Sequence, residues 1–140
     1  MDEEKAVVIK RWLVKASHDL ITAKVMLKND PSVTDTICFH AQQCVEKALK
    51  AFLVFADIHV EKTHYLPRLI EISATVDNSF HELNQVAREL TDYAVEVRYI
   101  DDWREISLEE AVEAVGKAEK AMAFVRERLQ MEGSQTEGAT

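Results

Sequence analysis

Apolar residues along this chain recur at steps of three and four through every long segment, and no stretch alternates with the period of two that a half-buried strand needs. Ile9, Leu13, Ala16, Leu20, Ala23 and Leu27 predict a first helix from about Glu4 to Lys28, which Asn29-Asp30-Pro31-Ser32 ends because Pro31 cannot continue the ladder. Ser32, with Asp35 three residues on, offers an N-cap for a second helix that reaches about Ala56. Leu66, Leu69, Ile70 and Ile72 mark a short third helix of about two turns, with Pro67 tolerated in its first turn. Ser79 is a candidate cap for a long fourth helix carrying Phe80, Leu83, Ala87, Leu90, Ala94 and Val97 and stopping near Tyr99. Residues 100–106 show no helical period, and Ser107 with Glu110 forms a capping-box pattern that opens a last helix with a stripe from Leu108 to Leu129. The expectation is an all-α, up-and-down bundle of four or five helices in one domain, residues 1–130, followed by a disordered tail, 131–140.

Composition narrows the function classes. The 140 residues are enough for one independent core, and no apolar run approaches the roughly 18 residues of a membrane span. The acidic start, Met1-Asp2-Glu3-Glu4, is unlike a signal peptide, so cytoplasmic residence is expected. A formal net charge of -8 argues against general DNA binding, which needs excess Lys and Arg to displace counterions. Residues 10–100 are nearly balanced, however, with eleven Lys and Arg against twelve Asp and Glu, so a local basic pocket fits the chain. Of three glycines, Gly116 alone lies within the expected bundle, which excludes Walker-type and Rossmann-type phosphate loops. Cys38 and Cys44 sit in one helix about 9 Å apart by helical rise, too far for a disulfide, and read as reduced core thiols.

The second helix concentrates the chemistry. Ile37, Ala41, Cys44, Ala48, Ala51 and Phe55 share one face, while His40, Gln43, Lys47 and Lys50 share another. Core packing explains only the first set; the second is either a donor row for phosphate or a base edge, or an exposed polar stripe. Glu46 lies elsewhere on the wheel and is expected to pair with Arg98 across the bundle, and Asp19 reads as a buried acceptor. Arg98 and Tyr99 close the fourth helix, either as a plain C-terminal charge or as a phosphate grip with a stacking ring. Asp57, His59, Glu61 and His64 match no ligand spacing, so neither metal nor cofactor is expected; His64 reads as a tie between the short helix and the bundle. Phe39, Phe52, Phe55, Tyr65 and Trp103 exceed what one core of this length needs, which suggests an interface.

These residues also carry a resemblance. Gln43-Cys44-Val45-Glu46-Lys47-Ala48-Leu49-Lys50-Ala51 is similar to the Gln-x-x-Glu-Lys-x-Leu-Lys-Ala helix of the HEPN family (higher eukaryotes and prokaryotes nucleotide-binding domain). Trp12 through Ala23, His64-Tyr65-Leu66 with Leu69, and Arg98-Tyr99-Ile100-Asp101 add to it, so that the resemblance spans Arg11 to Leu129. It implies a helical bundle, commonly a homodimer, often encoded beside a minimal nucleotidyltransferase as a toxin–antitoxin-like pair. Many members are RNases carrying Arg-x(4-6)-His; here no His follows Arg98 at that distance, and Arg11 with His18 fits only numerically, in the first helix. The resemblance therefore points to the subgroup without the nuclease motif.

Two functions follow as expectations. The first is a non-catalytic, homodimeric protein that binds a nucleotide or nucleotide-bearing substrate through His40, Gln43, Lys47, Lys50, Arg98 and Tyr99 and docks with a nucleotidyltransferase. The second is a metal-independent RNase toxin with a composite site of Arg98 and a base such as His40 or His64 at the dimer interface.

Overall fold

The computed structural model describes residues 2–94 and 104–138. Its elements in order are α1 (Glu3–Asn29), α2 (Thr34–Phe55), α3 (Leu66–Ala74), a 3-10 helix Asn78–Leu83, α4 (Asn84–Leu90), a 3-10 helix Thr91–Ala94, and α5 (Leu108–Gly138). The protein is all-helical, as its periodicity predicts, with no strand among the described residues. No helix is long and apolar enough to cross a membrane among those residues. Arg98, Tyr99 and Trp103 lie outside the described residues, and the tail expected from Met131 lies outside those whose side chains are described.

The ends of the helices follow local chemistry, not always by the residues the sequence suggests. Asp2 caps α1 by accepting from the Glu4 N–H at 2.8 Å, and Glu3 and Glu4 place negative charge at the positive end of the dipole. Ser32 does not cap α2: its hydroxyl is spent on Asp30 at 2.6 Å, and the helix opens after Val33 with no side-chain cap. Thr34 Oγ1 instead donates to the Ile106 carbonyl at 2.7 Å, tying this end to the approach of α5. Asp57 leaves α2 at φ 60°, the left-handed turn that lets Ile58 N–H reach the Leu53 carbonyl.

Over residues 78–94 the expected long fourth helix is a 3-10 turn, a short α-helix and a second 3-10 turn, and its expected end near Tyr99 lies outside the described residues. Two features explain this. Phe80, Leu83 and Val86, all buried, step by three, which suits the tighter 3-10 turn. Thr91 Oγ1 accepts from the Leu66 N–H at 2.9 Å, so α3 draws on the chain at the end of α4. Asp77, not Ser79, is the cap, accepting from both the N–H and the hydroxyl of Ser79.

At the middle of the bundle is α2, which packs on α1, α3 and α5 and whose Ile37, Leu49, Phe52 and Leu53 are buried. Phe80 joins Phe52 and Phe124, with ring centroids 4.3 and 5.1 Å away, locking the 3-10 segment onto α2 and α5. Of the other aromatic residues named above, Phe39 and Phe55 are half-buried and Tyr65 is exposed.

Both thiols are free and buried, and burial pushes Cys38 up to about 11 and Cys44 up to about 12. Neither should react appreciably with a thiol reagent at neutral pH in the folded protein. Both should titrate together when urea unfolds it; rapid labelling of the native chain would contradict this placement.

Candidate functional site: a polar seam beside the central helix

Because α2 is central, a polar group on its flanks must find a partner or stay unpaired in the core. Two carboxylates organise these groups. On the α1 side, Asp19, itself buried, accepts from Lys47 Nζ at 2.6 Å through one oxygen and sits 2.8 Å from His40 Nδ1 through the other. An ionised carboxylate offers only lone pairs, so the proton in this contact is on Nδ1. This confirms Asp19 as a buried acceptor and gives it two partners.

On the other flank Glu46, 3% exposed, accepts from Lys50 Nζ at 2.9 Å and from Gln42 and Gln43 Nε2 at 3.3 Å. His64 Nδ1 lies 2.9 and 3.1 Å from its two oxygens. Gln42 also donates to the His64 carbonyl at 3.0 Å, so the loop before α3 is fastened to α2 twice. His64 is thus the tie expected of it, while its side chain stays 70% exposed.

The row His40, Gln43, Lys47 and Lys50 is therefore not one exposed stripe. Lys50 is 6% exposed, with its ammonium 5.7 Å from the Trp12 ring centroid and its charge on Glu46. Its stem bends back one turn to reach Glu46, with the Trp12 ring of α1 beside it. The remaining His40, Gln43 and Lys47 are half-buried and reach solvent. Lys47 gives one of its three donors to Asp19. Among the described residues Glu46 is held by Lys50 and His64; its expected partner Arg98, like Tyr99, lies outside the described residues. Arg11 and His18 are both exposed on α1, apart from this seam.

A third cluster has little trace in the sequence. Ser107 Oγ accepts from the Glu110 N–H at 3.1 Å as the capping pattern predicts, but the Glu110 carboxylate turns to Arg104, at 2.7 and 2.9 Å, and to the Tyr93 hydroxyl. The Arg104 hydrogen bonds hold Glu110 down at about 2, against the opposing effect of burial. Burial, then the bond to Glu110, pushes the Tyr93 phenol up. Only the pairing of Arg104 with Glu110 has a cue, a basic residue shortly before an acid in the first turn of a helix. Among the described residues no group of three or more His, Cys, Asp or Glu is arranged to hold a metal ion. Asp57 pairs with Lys5, and Glu61 with Arg68.

A helical bundle whose central helix carries Gln-x-x-Glu-Lys is what the resemblance to HEPN domains implies. The HEPN domain pattern matches residues 9–128, and the chain belongs to that family. It is 29% identical over 135 residues to the candidate toxin MJ1304 of Methanocaldococcus jannaschii, covering 86% of this chain and 87% of that protein. The fold is similar to the crystal structure of TT1696 from Thermus thermophilus, with TM-score 0.73 and 30% identity over 85% of this chain and 96% of that one. It is also similar to ST0689, an archaeal HEPN homologue, with TM-score 0.68 and 25% identity over 86% and 96% of the two chains.

Proposed function

We propose that this HEPN protein binds a nucleotide or nucleotide-bearing substrate at the solvent-reaching part of the seam. In this reading it self-associates as a homodimer in the cytoplasm and is the non-catalytic member of a toxin–antitoxin-like pair with a minimal nucleotidyltransferase. The observation that carries the binding reading is Lys47: an ammonium fixed by Asp19, half-buried beside Gln43 and His40, with donors to spare for a phosphate oxygen. Lys50, buried beside Trp12, supports the site as the counter-charge of Glu46 rather than as a ligand contact. Arg98 and Tyr99 complete the site in this reading. Similarity to a candidate toxin supports the toxin–antitoxin setting.

A specific observation also favours a metal-independent RNase. His40 and His64 each have Nδ1 on a carboxylate, the arrangement that fixes tautomer and ring orientation in a general base. Incubating the purified protein with RNA in EDTA separates the two readings: intact RNA with measurable binding of ATP, GTP or a short RNA in a calorimetric titration is the expected result. Metal-independent cleavage abolished by His40→Ala or His64→Ala would favour the RNase.

A further inference from the structure

One helix is apolar on two opposite sides. The core side of α1 buries Ile9, Leu13, Ala16 and Ala23. The opposite side exposes Val7, Val14, Ile21 and Val25, at 47%, 39%, 54% and 49%. With Arg11 and His18 between them, these positions alternate by three and four, the spacing of a seam between paired helices. The helix packs its other side on α2 and α5, and no described residue covers this one.

What would cover it is indicated by its symmetry. The seam is bounded by Glu4 at one end and Lys28 at the other, and its midpoint, beside residues 14–18, is the midpoint of the helix Glu3–Asn29. A second copy laid antiparallel over the full helix therefore pairs the apolar ends of the face with each other, sets opposite charges together beyond them, and places Val14 and Ile21 against His18 and Arg11. Val7 of one protomer comes opposite Val25 of its partner, Glu4 opposite Lys28, and the stem of Arg11 lies over Ile21. A parallel copy would bring Glu4 to Glu4 and Lys28 to Lys28.

We propose that two copies of this chain pair through the outer face of α1, antiparallel about a two-fold axis beside residues 14–18. The proposal rests on the self-association reading above and gives it a surface. Asp19 and Trp12, which meet the polar seam of α2, lie on a different side of α1, so pairing leaves that seam open in both protomers.

Sedimentation velocity on the full chain tests it. The wild type is expected to run as a dimer at tens of micromolar. Val14→Glu combined with Ile21→Glu, both on exposed positions, should run as a monomer with unchanged helical circular dichroism. Glu4→Lys alone should weaken the dimer by at least tenfold, and adding Lys28→Glu should restore it. A wild-type monomer would overturn self-association itself. A dimer that survives Val14→Glu with Ile21→Glu, or a charge reversal that the second substitution does not rescue, would leave self-association standing and overturn this face.

Discussion

Glu46→Leu should cost the bundle about 3–5 kcal/mol of unfolding free energy, read as a large drop in urea midpoint, because it strands the buried ammonium of Lys50 without a counter-charge. The same change removes an acceptor of Gln42, Gln43 and His64 and so loosens the loop ahead of α3. Lys50→Met should cost less, since Glu46 keeps His64 and two amide donors. Combining Glu46→Leu with Lys50→Met should recover most of the loss, because the cost lies in an unpaired charge and not in the absence of a pair. If Glu46→Leu shifts stability by less than about 1 kcal/mol, or if the double variant is as unstable as the single one, Lys50 does not depend on Glu46.

Phe80→Ala should cost a similar amount, about 3–5 kcal/mol, for a different reason. Phe80 is fully buried between Phe52 and Phe124. Its removal leaves a cavity where the 3-10 segment meets α2 and α5, and the flanking rings cannot both close it. Phe80→Leu should lose clearly less, since it restores much of the volume. Equal losses from the two substitutions would mean that filling this space is not what holds the segment.

The elements legible in the sequence were those whose burial is one-sided. The stripes of α1, α2 and α5 name their core residues directly, and Pro31 and Pro67 mark helix boundaries. The fourth segment misled because Phe80, Leu83, Ala87 and Leu90 satisfy an α-helical stripe and a series of tighter turns equally well. What decided between them was Thr91 serving α3, a contact across 25 positions that no local pattern contains. The site divides in the same way. His40, Gln43 and Lys47 were visible as polar residues on an apolar helix, and Asp19 as a polar residue inside a stripe. That Lys50 is buried could not be read from the helix alone, because it depends on how the neighbouring elements, with Trp12 of α1 among them, pack around α2. The Tyr93, Arg104 and Glu110 cluster depends on loop geometry, and only its last two members have a sequence cue.

Lys47 is the residue on which ligand binding at the seam turns, and its pairing with Asp19 decides which substitution isolates it. Lys47→Ala would take from Asp19 one of its two partners and confuse stability with binding. Lys47→Gln keeps a donor for Asp19 while removing the positive charge. Calorimetric titration of the wild type and Lys47→Gln with ATP, GTP and a short RNA, beside their thermal midpoints, is therefore the most direct measurement. A charge-assisted bond is worth about 1.5–3 kcal/mol, so affinity should fall by roughly tenfold or more while the midpoint stays close to wild type. Equal affinity in the two proteins, or binding of none of these ligands by the wild type, would contradict a phosphate-bearing ligand at this seam.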